Sequence, residues 1–145
     1  MKAVLAVIDT NVVVSGLITK DSEAVTVRLI DKMLEARFRY LLSLALLTEY
    51  RSVLLRPRIK DFHKLREKEV DRILTEIAAN AIMCDSSSAL FSILERGDAH
   101  LWRILSAYPE AVLVTGDLAL FKQAPRTGSV ISPREFMEIY EPSTA

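Results

Sequence analysis

The chain has a single cysteine, Cys84, among 145 residues. No intramolecular disulfide can form, which fits a reducing compartment. Glycine and proline are scarce, at 4 and 5 residues, which argues against long flexible linkers. Neither sign of charge dominates, since 19 Lys and Arg balance 19 Asp and Glu. That excludes a polycation that coats nucleic acid by bulk charge, but leaves room for a local basic surface. No apolar run approaches the ~20 residues that span a bilayer. Asp9 and Asn11 interrupt the N-terminal apolar stretch after six residues, short of the ~7–15 needed by a secretion-signal core. A cytoplasmic protein without membrane contact is expected. Only His63 and His100 are present, and both read as surface residues, so no Cys–His cluster favours zinc. Glycine-rich phosphate motifs are missing, and no Gly-x-Ser-x-Gly surrounds Ser15-Gly16. Asn11 stands where a phosphoaspartate hydrolase would want the second acid of Asp-x-Asp.

Half of the residues are hydrophobic, ample for one core in a chain near the common domain size. Residues 1–141 are expected to form a single domain, with 142–145 as a tail. Ala3–Ile8 reads as a buried strand. Ser22–Ala36 has helical spacing, with Ser22 as its N-cap. Phe38–Leu42 reads as a second strand. Ser43 then caps a helix to about Leu55, which Pro57 stops. Glu67–Ala79 is a helix and Ala81–Cys84 a short strand. Ser86–Glu95 is ambiguous, one short helix at most. Asp98–Ala107 is a helix with Leu101, Trp102, Ile104 and Leu105 on its buried side. Ala111–Thr115 is a strand, Leu118–Phe121 a short helix and Ser129–Ile131 a last strand. Ser132-Pro133 opens a helix to about Tyr140. Strands alternating with helices imply a parallel sheet covered on both faces.

Four acids stand out within this frame. Asp9 ends the first strand, and Asp117 follows Val112-Leu113-Val114-Thr115-Gly116 at the end of another. In a parallel sheet both lie at the edge where open α/β folds bind ligands. Glu49 borders the apolar arc of its helix, between Ala45 and Val53. Asp98 starts a helix. Each has an ordinary reading: a turn aspartate for Asp9 and Asp117, an edge glutamate for Glu49, an N-cap for Asp98. Together they are more specific. Like charges ~4 Å apart repel by about 4 kcal/mol at an effective dielectric near 20, so four converging carboxylates need a cation or raised pKa values. Mg²⁺ or Mn²⁺ suits all-oxygen ligands. Thr10 and Asn11 are short polar groups able to hold Asp9 in place.

From Arg51 to Arg72, eight Lys or Arg accompany four Asp or Glu. The ordinary reading is a solvated helix pair. The functional one is a phosphate-contacting strip of Arg51, Arg56, Arg58, Lys60, Lys64 and Arg66, which holds a backbone without reading its sequence.

The succession Val-Ile-Asp-Thr-Asn-Val, Leu-Leu-Thr-Glu-Tyr-Arg-Ser-Val-Leu, Gly-Asp-Ala-His-Leu-Trp and Val-Leu-Val-Thr-Gly-Asp resembles a PIN domain, from Ala3 to about Ile139. It resembles in particular the small bacterial and archaeal PIN proteins of toxin–antitoxin pairs. The resemblance implies a three-layer α/β/α sandwich with a central parallel sheet of four or five strands. Asp9, Glu49, Asp98 and Asp117 match the acidic quartet as metal ligands and catalytic residues, and Asn11 and Thr115 match accessory polar positions. It further implies cleavage of single-stranded RNA with one or two Mg²⁺ or Mn²⁺ ions, frequent homodimers and a small antitoxin partner. Many relatives carry another acid ahead of the third position, as in Asp-Pro-x-Asp. Here Glu95-Arg96-Gly97 precedes Asp98, leaving Glu95 as the stand-in. The expected function is a metal-dependent endoribonuclease; the alternative is a PIN-like module that docks RNA or a protein without cutting. Leu41–Leu47 and Val25–Leu34 are expected to offer surplus apolar surface to a dimer.

Overall fold

The computed structural model describes residues 5–84, 99–124 and 128–140. Five strands form one parallel sheet in the order β3-β2-β1-β4-β5. They are β1 (Leu5–Ile8), β2 (Arg39–Leu42), β3 (Ile82–Met83), β4 (Val112–Val114) and β5 (Val130–Ile131). The helices are α1 (Thr10–Ile18), α2 (Val25–Leu34), α3 (Leu44–Leu54), α4 (Pro57–His63), α5 (Glu67–Asn80), α6 (Ala99–Ala107), α7 (Leu118–Lys122) and α8 (Pro133–Tyr140). The fold is α/β, as expected. β1 is buried along its whole length, the mark of a parallel strand covered on both faces.

Strand order explains where a ligand can reach. From β1 the chain winds outward through β2 to β3, then returns to β4 on the other side of β1 and continues to β5. Right-handed crossovers in opposite directions put their helices on opposite faces. The segments leaving β1 and β4 therefore part, and open a crevice at the carboxyl ends of those strands.

Most expected elements form within two or three residues of their bounds. Ser43 accepts a hydrogen bond from Leu46 N at 3.1 Å and caps α3. Ser132 and Glu135 cap α8 reciprocally, at 3.1 and 3.0 Å. Ser22 is not the cap of α2. Asp21 turns the chain once more, accepting from Glu23 N at 2.9 Å, so Ala24 occupies the cap position. Two helices lack a counterpart in the sequence reading. α1 follows β1 without a loop, and its Val12-Val13-Val14 run carries strand propensity that the Asp9 cap and core packing override. Pro57 ends α3 and is also the first residue of α4, where its missing N–H costs nothing.

Gly16 sets how closely α1 lies on α2: a Cβ there would sit 2.7 Å from the Thr26 carbonyl oxygen and collide with Ile30. Beside it, the Ser15 and Thr26 hydroxyls bond at 3.0 Å. Phe38, just ahead of β2, packs edge-on against Phe136 and Tyr140, with centroids at 4.9 and 5.4 Å, and helps to dock α8, which also packs on α2. The apolar surface expected to be surplus is mostly spent in this core. Leu29, Ile30, Met33, Leu41, Leu42 and Leu46 are buried, while Leu44 stays exposed. No helix among the described residues is long and apolar enough to cross a membrane.

Candidate active site

Asp9 leaves β1 and caps α1, and its backbone N–H is still paired with Val114 O of β4 at 2.9 Å. The residue is only 5% exposed. Its Oδ1 accepts from Thr10 N at 2.8 Å. Its Oδ2 accepts from the Thr115 hydroxyl at 2.7 Å and from Asn11 Nδ2 at 3.3 Å. Thr115 Oγ1 accepts in turn from Asp117 N at 3.0 Å, and Asn11 Oδ1 from Gly116 N at 3.2 Å. The ends of β1 and β4 are thus laced together through Asn11 and Thr115, two of the three residues expected to support the site.

Glu49 reaches the same place from α3, where the Thr10 hydroxyl donates to its Oε2. His100 of α6 lies behind it, with Nε2 3.8 Å from Glu49 Oε1. His100 holds the Glu49 carboxyl below the ordinary carboxylate range, helped by Thr10 and Arg56 and opposed by burial. His100 is therefore not a surface residue; it is 5% exposed, and its Nδ1 has no hydrogen-bond partner among the described residues. It stands one helical turn before Ile104, a spacing that could have placed it on the buried face. Trp102, expected to be buried, is half-buried. His63 is half-buried too. Its Nδ1 accepts from Leu65 N, so its Nε2–H donates to Leu54 O, both at 2.8 Å, and it pins the end of α4.

Tyr50 is a site residue that the sequence reading missed. Its buried hydroxyl donates to Ile8 O, tying α3 to the last residue of β1. A tyrosine in the Leu46–Tyr50–Leu54 stripe was the available signal, because a buried phenol needs an acceptor. Burial, reinforced by the charges of Asp9 and Glu49, pushes its pKa well up, so the phenol keeps its proton.

Asp9, Glu49 and Asp117 line one cleft of about 390 Å³, together with Arg56. Asp117 caps α7, accepting from Ala119 N at 3.0 Å. Asp98 and Glu95 lie outside the described residues. The donors in the cleft are carboxylate oxygens, the chemistry a hard divalent cation takes. Among the described residues, however, no three of His, Cys, Asp and Glu stand close enough together to hold an ion. The described part of the site is an incomplete ligand set. Cys84 offers no alternative nucleophile: it is half-buried, and burial pushes its thiol up.

A family model described as a PIN domain matches residues 5–119. The chain belongs to the PIN-domain family. PIN domains are generally nucleases and typically use divalent metal ions. No curated protein matches the chain. In this PIN domain the expected basic strip is not uniform. Arg51 is bound to Asp71 and Glu67, at 2.7 and 2.6 Å. Arg66 folds onto Glu69 of its own helix at 3.5 Å. Arg58 and Lys64 are exposed and Lys60 is half-buried. Of the six, only Arg56 lines the cleft.

Proposed function

We propose that this PIN domain is a metal-dependent endoribonuclease that cleaves single-stranded RNA, with Asp9, Glu49, Asp98 and Asp117 as its acidic centre. One observation carries the reading. Carboxylates from β1, α3 and the end of β4 line a single cleft at the switch point of a parallel sheet, with an arginine in the same wall. The four acids would hold one or two Mg²⁺ or Mn²⁺ ions. Such an ion supplies Lewis acidity toward the phosphoryl oxygens and makes water a better nucleophile.

The chain's own part is preorganisation. Thr115, Asn11 and the Thr10 amide fix the Asp9 carboxylate before substrate arrives. Glu49, kept ionised beside His100, or Asp117 orients the attacking water and accepts its proton. The water oxygen forms a bond to phosphorus, and the bond to the leaving oxygen breaks. Asp9→Asn is expected to abolish Mg²⁺-dependent cleavage of a single-stranded RNA while leaving the melting curve cooperative. Unchanged cleavage by that variant refutes the assignment.

The non-catalytic reading also has an observation in its favour, since both Asp9 oxygens are already engaged by protein donors. Calorimetry with Mn²⁺ separates the two; no binding up to the millimolar range favours the module. A toxin role would add a small antitoxin protein and a homodimer. A neighbouring open reading frame for a DNA-binding antitoxin, and sedimentation of the purified chain, test those additions.

A further inference from the structure

The cleft continues beyond the acids, and its far end has a different character. Two helices form its walls. α1 presents Asn11, Val14, Ser15 and Ile18, at positions i, i+3, i+4 and i+7 of one face. α3 presents Glu49 and Val53, and the same row reaches Arg56 just past its end. Along both walls the lining passes from carboxylates to aliphatic side chains. On the α3 side it ends on a guanidinium. Seven residues at ~1.5 Å each put the Glu49 and Arg56 backbones about 10 Å apart, within reach of neighbouring groups on one extended nucleotide chain.

We infer that Arg56, with the aliphatic wall of Val14, Ile18 and Val53, forms a one-nucleotide subsite beside the acidic centre. Arg56 binds the phosphate next to the scissile one, and the wall receives the intervening base. This inference rests on the proposed ribonuclease function and adds the part of the substrate that the acids do not touch.

The remaining polar groups along the wall limit what the subsite can read. The Ser15 hydroxyl is bonded to Thr26. Both ends of the Asn11 amide are occupied, by Asp9 and Thr115 on one side and Gly116 on the other. The wall therefore takes the face of a base by contact and does not read its edge, so the subsite tolerates any base. Arg51 and Arg66, held by Asp71, Glu67 and Glu69, are not part of it. The whole cleft, acidic centre and subsite together, has a volume of about 390 Å³, in the range of small-ligand sites.

The test is binding of fluorescein-labelled seven-nucleotide RNA homopolymers to the Asp9→Asn protein in Mg²⁺, followed by anisotropy as salt is varied. Removing one cation that neutralises a phosphate of a single strand flattens the plot of log affinity against log salt by about 0.7. Arg56→Ala should lose that increment, so its affinity deficit shrinks about 2.6-fold between 50 and 200 mM salt. Arg56→Lys should restore the slope, because it keeps the charge. Uridine, adenosine and cytidine homopolymers should bind within roughly fivefold of one another. An unchanged slope in Arg56→Ala, with Mg²⁺-dependent cleavage by the otherwise unaltered protein intact, overturns the subsite and spares the ribonuclease. Strong preference for one homopolymer overturns the base-tolerant wall. Failure of the Asp9→Asn protein to bind any of them, with no cleavage by the unaltered protein, overturns both.

Discussion

Replacing Tyr50 by Phe removes one oxygen and tests the link between the two acid-bearing elements. The hydroxyl is fully buried and donates to Ile8 O, whose residue is also 0% exposed. A hydrogen bond contributes a net ~1 kcal/mol, and a buried carbonyl that loses its donor costs about 1–3 kcal/mol. Phe fills nearly the same volume, so little cavity cost is added. A destabilisation of about 2 kcal/mol follows, and at ~2–4 °C per kcal/mol for a chain of this size it lowers Tm by about 6 °C. Activity should also fall by more than the loss of folded protein explains. Ile8 immediately precedes Asp9 and Tyr50 immediately follows Glu49, so breaking the bond frees α3 to shift against the carboxylate it faces. Below the melting transition, Mg²⁺-dependent RNA cleavage should drop about tenfold, equivalent to ~1.4 kcal/mol of transition-state stabilisation. Calorimetric melting and single-turnover cleavage of the same preparations read the two effects. A Tm within about 1 °C of the parent protein, or cleavage that falls only as the folded fraction falls, refutes the clamp.

Gly16→Ala sets two opposing effects against each other. Alanine favours a helix interior by about 1 kcal/mol, but the new methyl meets a backbone oxygen and Ile30 in a packed crossing, at about 1–3 kcal/mol. The expected net is a Tm lower by about 3 °C; an equal or higher Tm shows that α1 can move off α2 without loss. Alkaline unfolding carries a further signature. Burial raises the Tyr40 phenol to about 12 and Tyr50 beyond its ordinary value, while the unfolded chain ionises near 10.0. Between those values the unfolded state binds fewer protons, so stability falls as pH rises. Urea midpoints measured from pH 9 to 12 should decline, and flat midpoints refute the buried, protonated phenols.

Local chemistry made much of this protein legible. β1 is an unbroken apolar run, the Ser43 and Ser132-Pro133 helix starts follow capping rules, and α5 shows its buried stripe in Val70, Leu74 and Ile77. Where the sequence reading fell short, tertiary packing outweighed a local signal. Three consecutive valines form a helix because all three are buried where α1 packs against α2 and α3. His100 is buried because α6 packs against α3 and β4. Arg51, one of the expected phosphate contacts, is paired with Asp71, twenty residues on, a partner its own neighbours do not announce.

The candidate site divides along the same line. Residue type and position at strand ends single out Asp9 and Asp117, because an acid after a buried parallel strand must emerge at one edge of the sheet. That Asp9 and Asp117 emerge side by side depends on β4 pairing with β1, 106 residues separating the Thr115 and Asp9 partners that lace the two strands. Glu49 joins them because α3 docks beside β1, tied to Ile8 through Tyr50 and to Thr10 through Glu49 itself, and Arg56 joins because α3 ends where the cleft does. Strand and helix formation are near-neighbour effects, readable from spacing and caps. Strand order and helix docking are decided by the burial of whole faces, which no short stretch of sequence contains.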